Sequence, residues 1–85
     1  MPWPDLVVIN MGNADGSPFA LVEDIRKMSS RVGVLLVVPV DNSDFRFRAF
    51  LSGADDYLAR PYEFKMLLAI LKGMSRWQKQ KISEQ

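Results

Sequence analysis

The chain has 85 residues, 48% of them hydrophobic, and a formal net charge of +1 from 11 Lys and Arg against 10 Asp and Glu. It contains neither Cys nor His, which excludes disulfides, zinc fingers and catalysis by Cys or His side chains. The balanced charge argues against a nucleic-acid partner, and the longest apolar run, Val32 to Val40, is about half of a membrane span. We therefore expect one cytoplasmic domain over residues 1–85 with no membrane or nucleic-acid partner, a core at about 4–79 and a frayed tail at 80–85.

The first half of the chain predicts a strand, a helix and a second strand. Asp5–Asn10 is a short apolar run that enters a loop rich in turn formers, which indicates a strand covered on both faces of a sheet. Ser17 and Pro18 supply an N-cap and a first-turn proline for a helix that ends near Ser29 or Ser30, with a face formed by Leu21, Val22, Ile25 and Met28. Val32–Val38 is the strongest strand signal, and Pro39 stops it.

The second half repeats the alternation. Residues 41–44 supply capping side chains for a helix at Phe45–Ser52, and Gly53 closes it. A short strand follows at Asp55–Ala59 and ends before Pro61. The last element is a long amphipathic helix from Tyr62 to about Lys79, with one apolar face formed by Met66, Leu67, Ile70, Leu71, Met74 and Trp77. The order βαβαβα predicts an α/β fold with a three-stranded parallel sheet and helices on both faces.

Three segments carry a resemblance to a known family. Residues 4–10, the pair Ile25-Arg26 and above all Gly53-Ala54-Asp55-Asp56-Tyr57-Leu58-Ala59-Arg60-Pro61 resemble the second half of a response-regulator receiver domain (CheY-like) of two-component signalling. The resemblance implies a truncated flavodoxin-like receiver fold that holds the third, fourth and fifth strands of the family. The chain is then either naturally short or a fragment of a longer protein.

The resemblance also implies a degenerate phosphorylation site, a pseudo-receiver. Asn10 stands at the phosphate-accepting aspartate, Val38 at the Ser or Thr, and Arg60 at the lysine. A carboxamide is not a nucleophile toward a phosphoryl group, because its nitrogen lone pair is delocalised. The family's Mg²⁺-binding acidic pair lies on its first strand, so we expect neither a metal nor another cofactor. Tyr57 matches the switch aromatic, for whose hydroxyl Val38 offers no partner, and the Arg60-Pro61 bond is expected to be cis.

Several side chains are candidates for a protein interface. Asp55 and Asp56 are expected beside Arg46, Arg48 and Lys65, on a face that many receivers use for dimerisation. Phe45 resembles an interface anchor, because Phe47, Phe50 and Leu51 can share the inward face of their helix without it. Val8 lies on a strand whose missing neighbours leave an open, apolar edge.

The favoured hypothesis is a phosphorylation-independent protein-interaction module without enzymatic activity, which binds a protein partner or a second copy as a homodimer. One alternative is a fragment of a phosphotransfer response regulator that is completed in trans. Another is a small nucleotide-binding α/β domain, suggested by Gly12 and Gly16 after a strand, although the full glycine-rich spacing is absent. Taken alone, Asn10 at this strand end is typical of a loop cap, with a ligand contact as the alternative.

Overall fold

The computed structural model describes residues 5–12 and 17–83, with side chains as far as residue 76. Three strands form one parallel sheet in the order β1-β2-β3, and three helices alternate with them, as predicted. The elements are β1 (Leu6–Asn10), α1 (Pro18–Met28), β2 (Gly33–Val38), α2 (Ser43–Ser52), β3 (Asp56–Ala59) and α3 (Phe64–Ser83).

The central strand β2 is the most deeply buried part of the molecule. All six of its residues are buried, because β1 and β3 flank it and helices cover both of its faces. Val8 of β1 pairs with Leu35, and Leu35 pairs in turn with Asp56 of β3. Side chains at paired positions point to the same face of a sheet, so this register decides which residues meet in each core.

The sheet separates two apolar cores. The larger core contains residues from α1, α2 and one face of β2, and the smaller one contains residues from α3 and the other face. The buried members of the larger core are Ile9, Phe19, Val22, Ile25, Val32, Val34, Leu36, Val38, Ala49 and Ala54. Those of the smaller core are Leu35, Val37, Leu58 and Met74, with Leu6, Leu67, Ile70 and Leu71 partly buried around them.

Helix α1 begins as predicted but buries a different face. The Ser17 hydroxyl accepts a hydrogen bond from the Ala20 N–H, and Pro18 occupies the first turn. The buried residues are Phe19, Val22 and Ile25. Leu21 and Met28 were expected to face inward and are instead 48% and 62% exposed. The helix packs on α2 through Phe19, which leaves Leu21 and Met28 on the outer side.

The predicted inward face of helix α2 was wrong. Its inward residues are Phe45 and the fully buried Ala49, whereas Phe47, Phe50 and Leu51 are exposed. Ala49 is small enough to let the helix approach the sheet closely, and Phe45, one turn earlier, packs beside it. The Asn42 side chain caps the helix by accepting from the Asp44 and Phe45 N–H groups.

Among the described elements, helix α3 is the one that packs on the second face of the sheet. Leu67, Ile70, Leu71 and Met74 pack against the smaller core as predicted, but Met66 is 52% exposed. The helix continues to Ser83, through part of the segment predicted to fray, and the side chain of Trp77 lies outside the described residues. No helix in the described part of the chain is both long and apolar enough to cross a lipid bilayer.

One arginine, which the sequence analysis did not single out for a structural role, ties four segments together at the amino-terminal end of β2 and β3. Arg26 Nη2 donates to Asp55 Oδ2 at 2.6 Å, Nε donates to the Gly53 carbonyl at 2.8 Å, and Nη1 donates to the Val32 carbonyl at 2.6 Å. The same Asp55 oxygen accepts from the Val34 N–H at 2.8 Å. We call these residues the Arg26 node.

Candidate functional site

The carboxyl ends of the three strands meet at one edge of the sheet, where α/β folds of this kind place their sites. β1 ends at Asn10, β2 at Val38, and Arg60 follows β3 directly. The Arg60 N–H donates to the Val38 carbonyl at 2.9 Å. The Arg60-Pro61 bond is cis, as expected.

The Arg60 side chain crosses the end of β2 to reach β1. Its Nη2 donates to the Met11 carbonyl at 2.6 Å, and its Nη1 donates to Asn10 Oδ1 at the longer distance of 3.4 Å. We call these contacts the Arg60 clasp. Arg60 is half-buried and Asn10 is exposed, so the clasp lies at the surface of the sheet end. Two of the three predicted site positions are therefore in contact.

Val38 is not at this surface. Its side chain is fully buried in the larger core, where it packs with apolar neighbours rather than facing Asn10. The chemical groups at the sheet end are thus a neutral amide, a guanidinium and backbone carbonyls. Within residues 5–12 and 17–83, no three carboxylates converge in a way that could hold a metal ion.

Tyr57 has hydroxyl partners that the sequence did not indicate. The hydroxyl accepts from the Asn42 N–H at 3.0 Å, and its proton lies within reach of the Asn42 carbonyl at 3.2 Å and Asp41 Oδ1 at 3.3 Å. The ring packs against the larger core, and the Arg46 guanidinium lies 5.4 Å from its centroid. Although Val38 offers no partner, the loop before α2 therefore holds this side chain in place.

Three of the predicted interface residues remain available at the surface around α2, β3 and α3. Arg46 is exposed and pairs with Asp41 at 3.1 Å. Lys65 is exposed and pairs with Glu63 at 3.3 Å. Asp56 is half-buried, and one of its oxygens accepts from the Tyr57 N–H at 2.8 Å. The two exposed ion pairs contribute little to stability.

The other members of that set lie elsewhere. Phe45 is half-buried against the larger core, with its ring 6.5 Å from that of Phe19, so it is not an exposed anchor. Arg48 lies on the opposite side of α2 from Arg46, and its guanidinium sits 4.3 Å from the Phe19 ring centroid. Asp55 belongs to the Arg26 node, because its carboxylate accepts a hydrogen bond from Arg26. Arg26 lies outside the segment from Gly53 to Pro61 on which the prediction for Asp55 was based.

Val8 lies on β1, at the edge of the sheet formed by the described strands. It is 44% exposed, and among the described residues β1 has a neighbouring strand on one side only. Its paired residue Leu35 belongs to the smaller core, so Val8 faces the α3 side of the sheet.

The described residues of the loop after β1 give little support to a nucleotide site. A shallow depression of about 310 Å³ lies beside Asn10, Gly12 and Ser17. A Cβ atom added at Gly12 would meet nothing within 4 Å, so no close approach of backbone requires glycine there. Gly16, the other glycine of that prediction, lies outside the described residues.

Sequence comparison identifies relatives of known function. The chain is 29% identical over 77 residues to the phosphate regulon transcriptional regulatory protein PhoB of Escherichia coli, covering 88% of the chain and 34% of PhoB. It is 33% identical over 69 residues to the KDP operon transcriptional regulatory protein KdpE of the same organism, covering 81% of the chain and 30% of KdpE. The chain thus spans about a third of the length of these relatives. No protein-family model matches it.

Structure comparison gives the same answer for the fold. A CheY-like response-regulator receiver domain protein from Methanospirillum hungatei superimposes with a TM-score of 0.83 at 19% identity, over 93% of this chain and 63% of that one. The BeF3-activated receiver domain of DrrB superimposes with a TM-score of 0.78 at 25% identity, over 85% and 62%. The strand order and these superpositions therefore define a CheY-like α/β receiver fold of truncated extent. The chain is homologous to the receiver regions of response regulators such as PhoB and KdpE, the proteins of two-component signalling.

Proposed function

We propose that this chain is a cytoplasmic signalling module of the receiver type that acts by binding protein and performs no phosphoryl transfer. The observation that carries the proposal is the Arg60 clasp, which places a guanidinium against Asn10 and the Met11 carbonyl. A receiver that accepts a phosphoryl group needs a carboxylate nucleophile at this place, and the Asn10 amide is not one.

The clasp also supports a single resting conformation. Arg60 finds a backbone acceptor at 2.6 Å without any phosphoryl group, and Tyr57 finds its partners on the loop before α2. The two side chains that respond to phosphorylation in the family are thus already hydrogen-bonded here. We infer that the surface around α2, β3 and α3 is presented to partners constitutively.

Phosphoryl transfer can be tested directly. The protein is incubated with acetyl phosphate and Mg²⁺, with an active receiver as positive control, and its intact mass is followed by mass spectrometry. We expect no phosphoryl adduct on the chain. An adduct that maps to residues 5–12 would overturn the proposal.

The Asn10→Asp variant sharpens this test, because it restores a carboxylate while changing one atom group. We expect it to stay unlabelled as well, since Arg60 would pair with the new carboxylate and no metal-holding carboxylate group occurs in the described part of the chain. Efficient labelling of the variant would show that the rest of the site is competent, which contradicts the proposed loss.

The competing candidate is a receiver fragment completed in trans. It is supported by the superpositions, in which this chain covers only 62% to 63% of the solved receiver chains. Its test is the same labelling assay after addition of a separate polypeptide with the first two strands of a receiver. Labelling that appears only with this addition would favour completion in trans. Continued absence of an adduct would favour the binding module.

A further inference from the structure

We propose that the outward face of α3 is a docking surface for an acidic helical segment of a protein partner. Three exposed cations define this face, which we call the basic stripe: Lys65, Lys72 and Arg76. The inference rests on the proposed function and deepens it, because it names the chemistry of the protein that such a binding module would recognise.

The charges of the chain are unevenly distributed along it. Helix α3 carries five Lys and Arg and no Asp or Glu, whereas residues 1–63 carry six Lys and Arg against nine Asp and Glu. The overall charge of +1 is therefore the sum of a strongly basic helix and an acidic remainder. Segregation of this kind creates a local positive potential that attracts an anionic partner to the basic element.

The cations of the stripe lie opposite the buried face of the helix. The apolar face between Leu67 and Met74 packs against the smaller core. Seven residues are nearly two turns of an α-helix and four are just over one turn. Lys72 and Arg76 therefore follow Lys65 along a single line about 16 Å long, and all three side chains are exposed.

Neither the helix dipole nor ion pairing within the described residues accounts for the stripe. Cations are favoured in the last turn of a helix, but Lys65 lies in the first turn of α3 and Lys72 in its middle. Lys65 pairs with the exposed Glu63, whereas no described side chain pairs with Lys72 or Arg76. Like charges four residues apart on a helix repel each other, and a carboxylate from a partner would relieve this repulsion.

A glycine beside the stripe gives a partner room to approach. Gly73 lies in the interior of α3, directly after Lys72, where glycine is less favourable for a helix than alanine. A Cβ atom added there would meet nothing within 4 Å among the described residues, so packing within the described fold does not require glycine. The absence of a side chain lowers the helix surface beside the two central cations, which lets the backbone of another helix come close.

The shape of the stripe favours an acidic helix over other polyanions. A row that is one side chain wide matches carboxylates repeated every three and four residues along one face of a partner helix. A nucleic-acid duplex or an anionic lipid surface presents its charge over a broad area, which would also bring it against the acidic remainder of the chain.

The test is fluorescence anisotropy of the 85-residue chain with a labelled alanine-based peptide. The peptide has about 20 residues and carries glutamates every three and four residues along one helical face. A control peptide has the same composition, with its glutamates distributed around the helix. We expect the first peptide to bind with a Kd at least about fivefold lower than that of the control, and its affinity to fall as salt is raised.

A charge reversal identifies the surface that binds. Lys72→Glu with Arg76→Glu should raise the Kd about tenfold or more, because it places like charges against the glutamates of the peptide. The matched control, Lys27→Glu with Arg31→Glu, reverses two exposed cations that are also four residues apart, at and after the end of α1. It changes the net charge equally and should alter the Kd less than about twofold.

A neutral variant keeps the test decisive if the reversal disturbs the fold. Lys72→Gln with Arg76→Gln should raise the Kd in the same direction but by a smaller factor, because it removes attraction without adding repulsion. Far-UV circular dichroism verifies that each variant is folded.

Several outcomes would overturn the inference. They are absence of binding to the helical peptide, equal Kd values for the two peptides, and equal effects of the two charge reversals. Tighter binding to a DNA duplex or to phosphatidylserine vesicles than to the helical peptide would also do so, since the stripe would then serve a different polyanion. The acetyl phosphate assay does not depend on the stripe, so failure of this inference and failure of the proposed function remain distinguishable.

Discussion

Replacement of Arg26 by alanine should destabilise the protein more than any exposed charge replacement. The Arg26 guanidinium contacts three groups of the node at once: the Asp55 carboxylate, the Gly53 carbonyl and the Val32 carbonyl. Its loss leaves the Asp55 carboxylate with the Val34 N–H as its remaining partner in the node. It also removes the hydrogen bond from α1 to the Gly53 carbonyl at the end of α2.

The magnitude follows from the kinds of bond that are lost. A hydrogen bond to a charged group contributes roughly 1.5 to 3 kcal/mol, and each abandoned carbonyl adds about 1 kcal/mol. The two side chains are 19% and 22% exposed, so water can replace part of what is lost. We therefore expect a loss of about 3 kcal/mol. A domain of this length has a free energy of unfolding of roughly 4 to 13 kcal/mol, so the loss is a large fraction of it.

The assay is urea denaturation followed by far-UV circular dichroism, with Arg46→Ala as the matched control. Arg46 also forms an ion pair, but its side chain and that of Asp41 are 56% and 66% exposed. Its removal should cost less than about 1 kcal/mol. Arg26→Lys should fall between the two, because an ammonium keeps the charge beside Asp55 but cannot reach three acceptors in a planar fork. Equal losses for Arg26→Ala and Arg46→Ala would refute the reasoning.

Three further predictions use the same denaturation assay. Gly53→Ala should lower the free energy of unfolding by about 2 kcal/mol, because Gly53 has a φ of 116° and the added Cβ would lie 2.7 Å from Arg26 Cγ. Gly73→Ala should instead stabilise α3 by up to about 1 kcal/mol, since a Cβ there meets nothing within 4 Å. Equal effects at the two glycines would contradict this. Asn42→Ala should cost about 1 kcal/mol through loss of the α2 cap, and Asn42→Ser should recover most of it. Tyr57→Phe should cost about 0.5 to 1 kcal/mol, and no measurable change would mean that its hydroxyl contacts contribute nothing.

Strand positions and their order were predictable because burial leaves a direct mark on composition. Gly33–Val38 is apolar at every position after Gly33, as a strand covered on both faces must be, and the structure buries all of it. Helix ends were also well marked, since Ser17 and Gly53 act as the caps that their residue types indicate. These features therefore leave a mark in the local sequence.

The inward face of α2 was predicted wrongly because two apolar sets compete on that helix. Phe47, Phe50 and Leu51 form the larger stripe, yet the helix packs through Phe45 and Ala49. The choice depends on how closely the helix can approach the sheet, and a small residue such as Ala49 permits the closer approach. Periodicity counts apolar residues and carries no information about that distance.

Contacts between distant parts of the chain could not be predicted from the sequence pattern. The Arg26–Asp55 bond joins residues 29 positions apart, and the Arg60–Met11 bond joins residues 49 positions apart. Asp55 was assigned to a candidate interface because the family resemblance places it on a face that many receivers use for dimerisation. Its actual partner Arg26 lies on helix α1, and only the assembled fold brings the two together.

The position of β2 between the two cores has a consequence for how the molecule opens. Alternate residues of this strand belong to opposite cores, so β2 cannot separate from one face while the other stays packed. Its amide protons should therefore exchange with solvent only through global unfolding, at the full unfolding free energy. The terminal turns of α3 and the outer amides of β1 can exchange through smaller local openings. The slowest-exchanging amides should thus form one continuous stretch at the centre of the chain, with faster exchange on both sides of it.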